Sequence, residues 1–259
     1  MKKQIRYKIV IWILSIIVIL QTGLIIFLFL RKPVSKPMPL IGPRIAIVID
    51  DWGYNLNNLE LLKDIRYPLT VSILPNLAYS QVLAERLHSK GFEVILHLPL
   101  QPYEESTLEN NTLTVDMDEE TIKRILRNDL NSILYAKGVS NHMGSKATED
   151  TRIMRIIFKE LKKRNLYFLD SLVSANSICS DIALELKLPF AKRDMFIDNQ
   201  EDFQYIANQI DKLKQKAKLV GQAIGIGHAR EKTLKVLREK LPQLEKEGFR
   251  LVFVSELVR

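Results

Sequence analysis

Apolar and polar positions follow two different periods along the chain after residue 44. Short runs rich in β-branched residues predict strands at 45–49, 69–74, 92–97, 138–142, 166–170, 188–193, 219–226 and 250–254. Between most of them lie stretches with an apolar residue every three or four positions, such as EDTRIMRIIFKELKKRN, and these predict amphipathic helices. Four helices are expected to end at residue types that adopt left-handed conformations, namely Gly91, Gly138, Asn165 and Gly248.

The order of these elements predicts the fold class. Apolar strands that alternate with helices are typical of a parallel sheet with helices outside it. About seven or eight such units, without a Gly-rich dinucleotide loop after the first strand, favour a barrel over a doubly wound sheet. We therefore predict an α/β fold, an irregular (β/α)7–8 barrel, in one domain over 45–259. The longest irregular segment, 98–117, is expected to be a loop of the active site.

A long apolar stretch precedes this domain. Residues 9–30 carry no charge over 22 positions, and a helix of about 20 apolar residues crosses a bilayer. The stretch ends in FLFLRKP, which lacks the small-residue cleavage site of a signal peptide. We expect a single transmembrane helix at 9–30, with a short basic segment at 1–8 and a proline-rich linker at 31–44.

The net charge of +8 belongs to the N-terminal part. Residues 1–44 contain eight Lys and Arg and no acidic residue, and the other 30 basic residues equal the 30 acidic ones. Because a neutral domain lacks the basic surface that nucleic-acid binding needs, nucleic acid is not expected as a partner. The basic residues around 9–30 favour a cytoplasmic N-terminus and an extracytoplasmic domain at the cell membrane. The single cysteine, Cys179, excludes an internal disulfide and is expected to be a small buried residue.

Reactive side chains are concentrated where the apolar runs end. In barrels of this type the carboxyl ends of the strands surround the active site. Three of the four histidines and a pair of adjacent carboxylates occupy such positions, while His88 lies on a predicted helix. The residues at the strand ends are Asp50, Asp51, Asn76, His97, Asn141, His142, Asp170, Asp194, Asp198 and His228.

A carboxylate pair combined with histidines is the composition of a metal site. Two adjacent carboxylates repel each other, and a divalent cation bound by one Asp and two His offsets that repulsion. A single Asp after a strand is often only the cap of the next helix. That structural alternative stays open for Asp170 and Asp198.

Several motifs resemble a known enzyme family. IAIVIDDWG is similar to the FDDG motif of polysaccharide deacetylases with the NodB-homology fold, and GFEVILHLPLQP resembles their GHEIGNHxxxHP motif at Gly91, Glu93, His97 and Pro102. Together with NHMGS, KRDMFIDN and GIGHAR, the pattern most resembles the divergent branch of this family, from about Arg44 to the C-terminus. The resemblance implies a barrel of this type and removal of N- or O-acetyl groups from a polysaccharide or peptidoglycan of the cell envelope.

The resemblance also implies a metal-ligand set. Asp51 and His97 match ligands of the family, and the bound ion is expected to be divalent, with Zn²⁺ favoured. The second His of the HxxxHP motif is replaced by Gln101, and glutamine is a poor zinc ligand beside imidazole. We expect His142, at the end of the next strand, to supply the missing nitrogen.

The catalytic roles follow from the same resemblance. Asp50 would be the general base that accepts a proton from the attacking water, and beside a metal-bound Asp51 it is expected to keep a low pKa. His228 would be the general acid, with Asp194 or Asp198 tuning its pKa. The residues expected to contact substrate are Trp52, Asn76, Gln101, Asn141 and Asp170.

Two other functions are weighed against this one. The replacement at Gln101 is compatible with a glycan-binding or envelope-assembly pseudoenzyme on the same fold. A glycosidase that uses Asp50 with another carboxylate is disfavoured, because adjacent strand residues point to opposite faces and the histidines would have no role.

Overall fold

The computed structural model describes residues 42–259 together with Trp12, Gln21 and Thr22. The chain divides into two units, Met1–Leu40 and Ile41–Arg259, and the strands and helices given below lie in the second. Apart from a few residues, the predicted segments 1–8, 9–30 and 31–44 fall outside the described part of the chain. Within the described part, no helix is both long and apolar enough to cross a membrane.

Strands and helices alternate along the described domain. The strands are β1 (Arg44–Trp52), β2 (Thr70–Ile73), β3 (Glu93–Leu100), β4 (Gly138–Met143), β5 (Tyr167–Asp170), β6 (Phe190–Lys192), β7 (Met195–Phe196), β8 (Gln222–His228) and β9 (Arg250–Leu251). The helices are α1 (Leu59–Lys63), α2 (Ser80–Ser89), α3 (Glu119–Ser132), α4 (Thr151–Lys163), α5 (Cys179–Leu186), α6 (Phe203–Val220) and α7 (Glu231–Lys246). Short 3₁₀ turns occur at Ala147–Glu149 and Val254–Glu256.

The strands form one parallel sheet that curls back on itself. Its order is β6–β5–β4–β3–β2–β1–β8–β7, with β9 beside the start of β1. Only Arg193 and Asp194 separate β6, which pairs with β5, from β7, which pairs with β8. The two edges of the sheet therefore meet in one short segment. This curled parallel sheet confirms the predicted α/β class and is consistent with a barrel of the NodB type.

Both faces of β1 are buried, which explains its unbroken apolar run. Ile47 and Ile49 pack into the large cluster between the sheet and the helices, whereas Ala46 and Val48 face the inside of the curl. The segment after β9 contributes Val252, Val254 and Leu257 to the inner cluster. Two buried faces are expected for a parallel sheet covered by helices.

Several predicted boundaries differ from the structure, and two of them involve a glycine. The helix expected to end at Gly138 ends at Ser132, and Gly138 instead begins β4, where a Cβ atom would lie only 2.5 Å from the Tyr167 ring. The run predicted as a strand at 219–226 starts with the last turn of α6, because Gly221, with a φ of 86°, ends that helix. Helix ends with positive φ do occur at Gly91, Asn165 and Gly248, as predicted.

Candidate metal centre and active site

A bulge at the end of β1 places both carboxylates of the Asp pair on one side of the strand. The pairing with β2 shifts between Ile49 and Trp52, and Asp51 has a φ of 63°, which is uncommon for a residue other than glycine. The Oδ2 of Asp50 and the Oδ1 of Asp51 lie 3.8 and 3.2 Å from the same atom, Nε2 of His97. The expectation that these carboxylates point to opposite faces is therefore wrong at this bulge.

Three potential donor atoms converge beside the bulge. Oδ1 of Asp51 lies 3.2 Å from Nε2 of His97 and 3.1 Å from Nδ1 of His142, and the two nitrogens are 3.2 Å apart. The histidines come from the neighbouring strands β3 and β4. Asp51, His97 and His142 thus form a compact triangle of one oxygen and two nitrogens.

This donor set fits a divalent cation. Zinc bonds of about 2.0–2.2 Å in a tetrahedral site place neighbouring donor atoms about 3.3 Å apart, close to the observed separations. Oδ1 of Asp51 is buried and has no hydrogen-bond donor, although two imidazole nitrogens lie beside it. An acceptor in this position is expected where lone pairs of three ligands point towards one cation.

Charge and burial shift the pKa values around the triangle in different directions. Burial alone raises the pKa of Asp51, but the adjacent His142 and His97 imidazoles outweigh it and hold the pKa well below its usual value. Burial lowers the pKa of His97, while the neighbouring Asp50 and Asp51 carboxylates raise it by more. For Asp50, burial dominates and raises the pKa. This is opposite to the low pKa expected beside a cation, whose charge would lower it.

His228 and the buried Asp198 form a pair next to the triangle. His228 ends β8 opposite Asp50 in the strand register, and its Nε2 lies 3.8 Å from Oδ2 of Asp51. Its Nδ1 is 2.8 Å from Oδ1 of Asp198, whose other oxygen accepts the backbone N–H of His228 and the Thr233 hydroxyl, both at 2.7 Å. Burial lowers the pKa of His228, but the bond to Asp198 outweighs this and raises it.

The choice between Asp194 and Asp198 as the partner of His228 is decided by the geometry. Oδ2 of Asp194 accepts the backbone N–H of Ile224, and its Oδ1 lies 3.8 Å from Nζ of Lys216. Within the described chain, no hydrogen bond or ion pair joins Asp194 to His228. Asp198 is also not the cap of the helix that follows it, because Asp202 caps that helix.

Two residues expected to contact substrate are held elsewhere. The side-chain oxygen of Gln101 accepts the backbone N–H of Val115 at 2.9 Å, so this side chain fixes the long loop. Trp52 is 2% exposed and packs in the cluster between sheet and helices. Cys179 is buried as predicted, and burial raises its pKa, which keeps the thiol protonated.

The other three expected substrate residues make structural contacts. The amide of Asn76 donates to the buried Asp129 at 2.6 Å. Asn141 is 1% exposed and bonds to backbone groups of the chain around it. Asp170 is 2% exposed, and its carboxylate accepts the Leu172 N–H and the Ser177 hydroxyl, so it stabilises the turn after β5.

A stack of two side chains against the His228 ring was not predicted from the sequence. The Phe196 ring stacks on the His228 ring at 5.8 Å, and the Arg193 guanidinium lies 3.7 Å above the same Phe196 ring. Arg193 also donates to the backbone oxygens of Ser171 and Leu172. This stack depends on the crossing from β6 to β7, which has no signal in the sequence pattern.

Comparison with known proteins agrees with this geometry. A family model described as divergent polysaccharide deacetylase matches residues 47–258. The chain belongs to the divergent polysaccharide deacetylase family. This confirms the family resemblance of the motifs.

Relatives of this divergent polysaccharide deacetylase include both sequences and solved structures. The uncharacterized protein YibQ of Escherichia coli K12 is 34% identical over 206 residues, which cover 80% of this chain and 65% of YibQ. The uncharacterized protein ATU2773 of Agrobacterium tumefaciens C58 superposes with a TM-score of 0.81 at 24% identity, covering 84% of this chain and 89% of that one. A family 4 acetyl xylan esterase from Clostridium thermocellum, in complex with a cobalt ion, shares the fold at a TM-score of 0.50 and 13% identity, covering 83% and 89%.

Substitution of the triangle should abolish metal binding. Asp51→Ala, His97→Ala or His142→Ala removes one of three donors, so zinc affinity should fall by more than about 10²-fold, beyond the loss caused by removing an outer hydrogen-bond partner. Gln101→Ala should leave the affinity unchanged, because that side chain bonds to Val115. Metal content and competition with a chelating dye measure both. Unchanged affinity in His142→Ala, or a loss in Gln101→Ala, would refute this ligand set.

The Asp198 carboxylate should raise the pKa of His228. In Asp198→Asn the negative charge is lost, so the midpoint of His228 in an NMR titration of the metal-free protein should move to lower pH. Thr233→Val is the matched control, because it removes one neutral hydrogen bond to Asp198 and leaves the charge in place. A midpoint that stays constant in Asp198→Asn would contradict the pairing.

Proposed function

We propose that this chain is a metal-dependent hydrolase that removes acetyl groups from a polysaccharide of the cell envelope. The observation that carries the proposal is the grouping, at one end of the sheet, of a three-donor triangle, a second carboxylate and a His–Asp pair. Amide or ester hydrolysis needs an activated water, a stabilised oxyanion and a proton donor for the leaving group. The group contains a residue or a set of donor atoms for each of these three requirements.

The protein residues divide the proton transfers between them. A divalent ion held by Asp51, His97 and His142 would polarise the acetyl carbonyl and lower the pKa of a water. Asp50 lies beside this triangle and would accept the proton of the attacking water. His228, held through Nδ1 by Asp198, would present Nε2 to the site and donate a proton to the departing amine or alcohol.

Zinc is the ion that the donor set favours. One carboxylate and two imidazoles match the ligands of catalytic zinc sites, which leave a position open for water or substrate. The acetyl xylan esterase described above was solved with cobalt, and cobalt and zinc accept similar nitrogen and oxygen ligands. Metal exchange in the purified protein would therefore support activity with either ion.

The substrate is expected to be a glycan chain. The family membership points to a polysaccharide, and exposed aromatic rings lie on loops that follow β1 and β3. Tyr54 and Tyr103 are 48% and 60% exposed, and their hydroxyls bond to Glu109 and Glu149, which fixes the ring positions. Fixed, exposed aromatic rings offer apolar faces against which sugar rings can pack.

The purified protein should release acetate from chitooligosaccharides or peptidoglycan. Asp50→Asn should lower the rate about 10²- to 10⁴-fold, since it removes the general base without removing a ligand. Chelation should abolish the activity and added zinc should restore it. His88→Ala, at an exposed histidine stacked on Tyr135, is the control and should behave as wild type.

The same assay separates an enzyme from a glycan-binding pseudoenzyme. Zinc binding and glycan binding without any release of acetate would favour the pseudoenzyme. Full activity in Asp50→Asn would instead show that another group acts as the base.

The proposal includes attachment to the membrane through residues 9–30. The full chain should remain in the membrane fraction after a carbonate wash, with its domain open to protease added outside the cell. Ile17→Arg combined with Leu20→Arg should release it, because each charge costs about 2.5–3.5 kcal/mol at the centre of a spanning helix. Ile5→Arg, outside the apolar stretch, should have no effect. A wild-type chain in the soluble fraction would disprove the anchor.

A further inference from the structure

Two buried serine hydroxyls connect the ligand His97 to the interior of the sheet. Nδ1 of His97 lies 2.8 Å from Oγ of Ser140, its cross-strand neighbour on β4. Oγ of Ser140 lies 2.7 Å from Oγ of Ser72 on β2. Both serines are fully buried. The three groups therefore form a continuous, buried hydrogen-bonded chain.

The geometry of the proposed metal site indicates which nitrogen of His97 carries the hydrogen. Nε2 of His97 lies 3.2 Å from both Oδ1 of Asp51 and Nδ1 of His142 in the triangle. An imidazole that binds a cation through Nε2 keeps its hydrogen on Nδ1. Nδ1–H of His97 is then the donor in the bond to Ser140.

The two hydroxyls can complete this arrangement. A serine hydroxyl has a single hydrogen and an oxygen that accepts. Ser140 can therefore accept the Nδ1–H of His97 and give its own hydrogen to Oγ of Ser72. A neutral imidazole carries one N–H, so Nε2 is left with a free lone pair.

We propose that Ser72 and Ser140 are positioning residues that give the Nδ1–H of His97 a buried acceptor and hold the ring in the tautomer that binds the metal. This inference rests on the proposed metal site and deepens it. In the opposite tautomer, a hydrogen on Nε2 would occupy the direction of the cation. The two serines thus prepare the ligand before the ion arrives.

Zinc affinity of the purified full chain tests this inference. Ser140→Ala should weaken zinc binding about 10- to 100-fold, the range typical of outer partners of metal-bound histidine. Ser72→Ala should weaken it by less, since Ser140 can still accept from His97. The double variant should bind zinc as Ser140→Ala does, because the residues act in series and their effects are not additive.

Thr70→Val is the matched control. Thr70 is also a fully buried hydroxyl on β2, two residues before Ser72, but it donates to Glu93 at 2.8 Å rather than to the His97 chain. Its removal disturbs the same strand, yet it should leave zinc affinity at the wild-type value. Ser140→Thr, which keeps a hydroxyl, should retain most of the affinity.

A second measurement does not require metal or activity. In the metal-free wild-type chain, at a pH where the His97 ring is neutral, ¹⁵N NMR of labelled histidine should show His97 protonated at Nδ1. The Ser140→Ala variant should lose that preference. Because the wild-type spectrum alone reports the tautomer, the test remains decisive even if a variant folds poorly.

Several results would overturn the inference. They are a His97 protonated at Nε2 in the wild type, additive losses from the two serine substitutions, or equal losses in Ser140→Ala and Thr70→Val. Wild-type zinc affinity in Ser140→Ala would refute the serine chain while leaving the proposed function intact. Failure of the wild-type chain to bind zinc would refute both.

Discussion

The site depends on one local departure from regular strand geometry, the bulge at the end of β1. In a regular strand Asp50 and Asp51 would face opposite sides of the sheet. The register shift before Trp52, with Asp51 at a φ of 63°, turns both carboxylates towards Nε2 of His97. The arrangement places two anions together inside a protein, which is unfavourable without compensating positive charge. The convergence of the two histidines on Asp51 supplies a place where a divalent cation would provide that charge.

The interior of the curled sheet is built in layers that differ in polarity. Near the amino ends of the strands, the Glu93 carboxylate accepts hydrogen bonds from the hydroxyls of Thr70 and Tyr167 and from the backbone N–H of Ser255. The last of these bonds ties the C-terminal segment to the sheet. The apolar inner cluster also lies within the curl. The Ser72–Ser140 pair lies just beneath the ligands. Buried polar groups are tolerated where their hydrogen bonds are satisfied, and such networks restrict the conformations available to their members.

Much of the fold and part of the site could be predicted from the sequence. The strand runs and the positions of His97, His142 and His228 at strand ends were sufficient, because parallel strands bring their carboxyl ends to one edge. The contacts of Gln101, Trp52 and Asp194 were not predictable, because each side chain bonds to or packs against groups that are distant in the sequence. The β1 bulge and the crossing from β6 to β7 also escaped prediction, because they arise from pairing between strands and leave no periodic pattern. In the sequence, Ser72 and Ser140 are only polar positions within buried strands. Their hydrogen bonds to each other and to His97 become visible only when the strands are paired.

The position of the third donor has a consequence for how the site is held. In the HxxxHP motif both histidines would come from β3 and the loop directly after it, so one strand would position two ligands. Here Gln101 bonds to the loop at Val115, and His142 provides its nitrogen from β4. The triangle therefore spans β1, β3 and β4, and its edges depend on the register between these strands. The hydrogen bonds of the Ser72–Ser140 chain join β2 to β4 and, through His97, to β3, beneath the ligands. The Ser72–Ser140 chain thus helps to hold these strands in register, which a metal site spread over three strands requires.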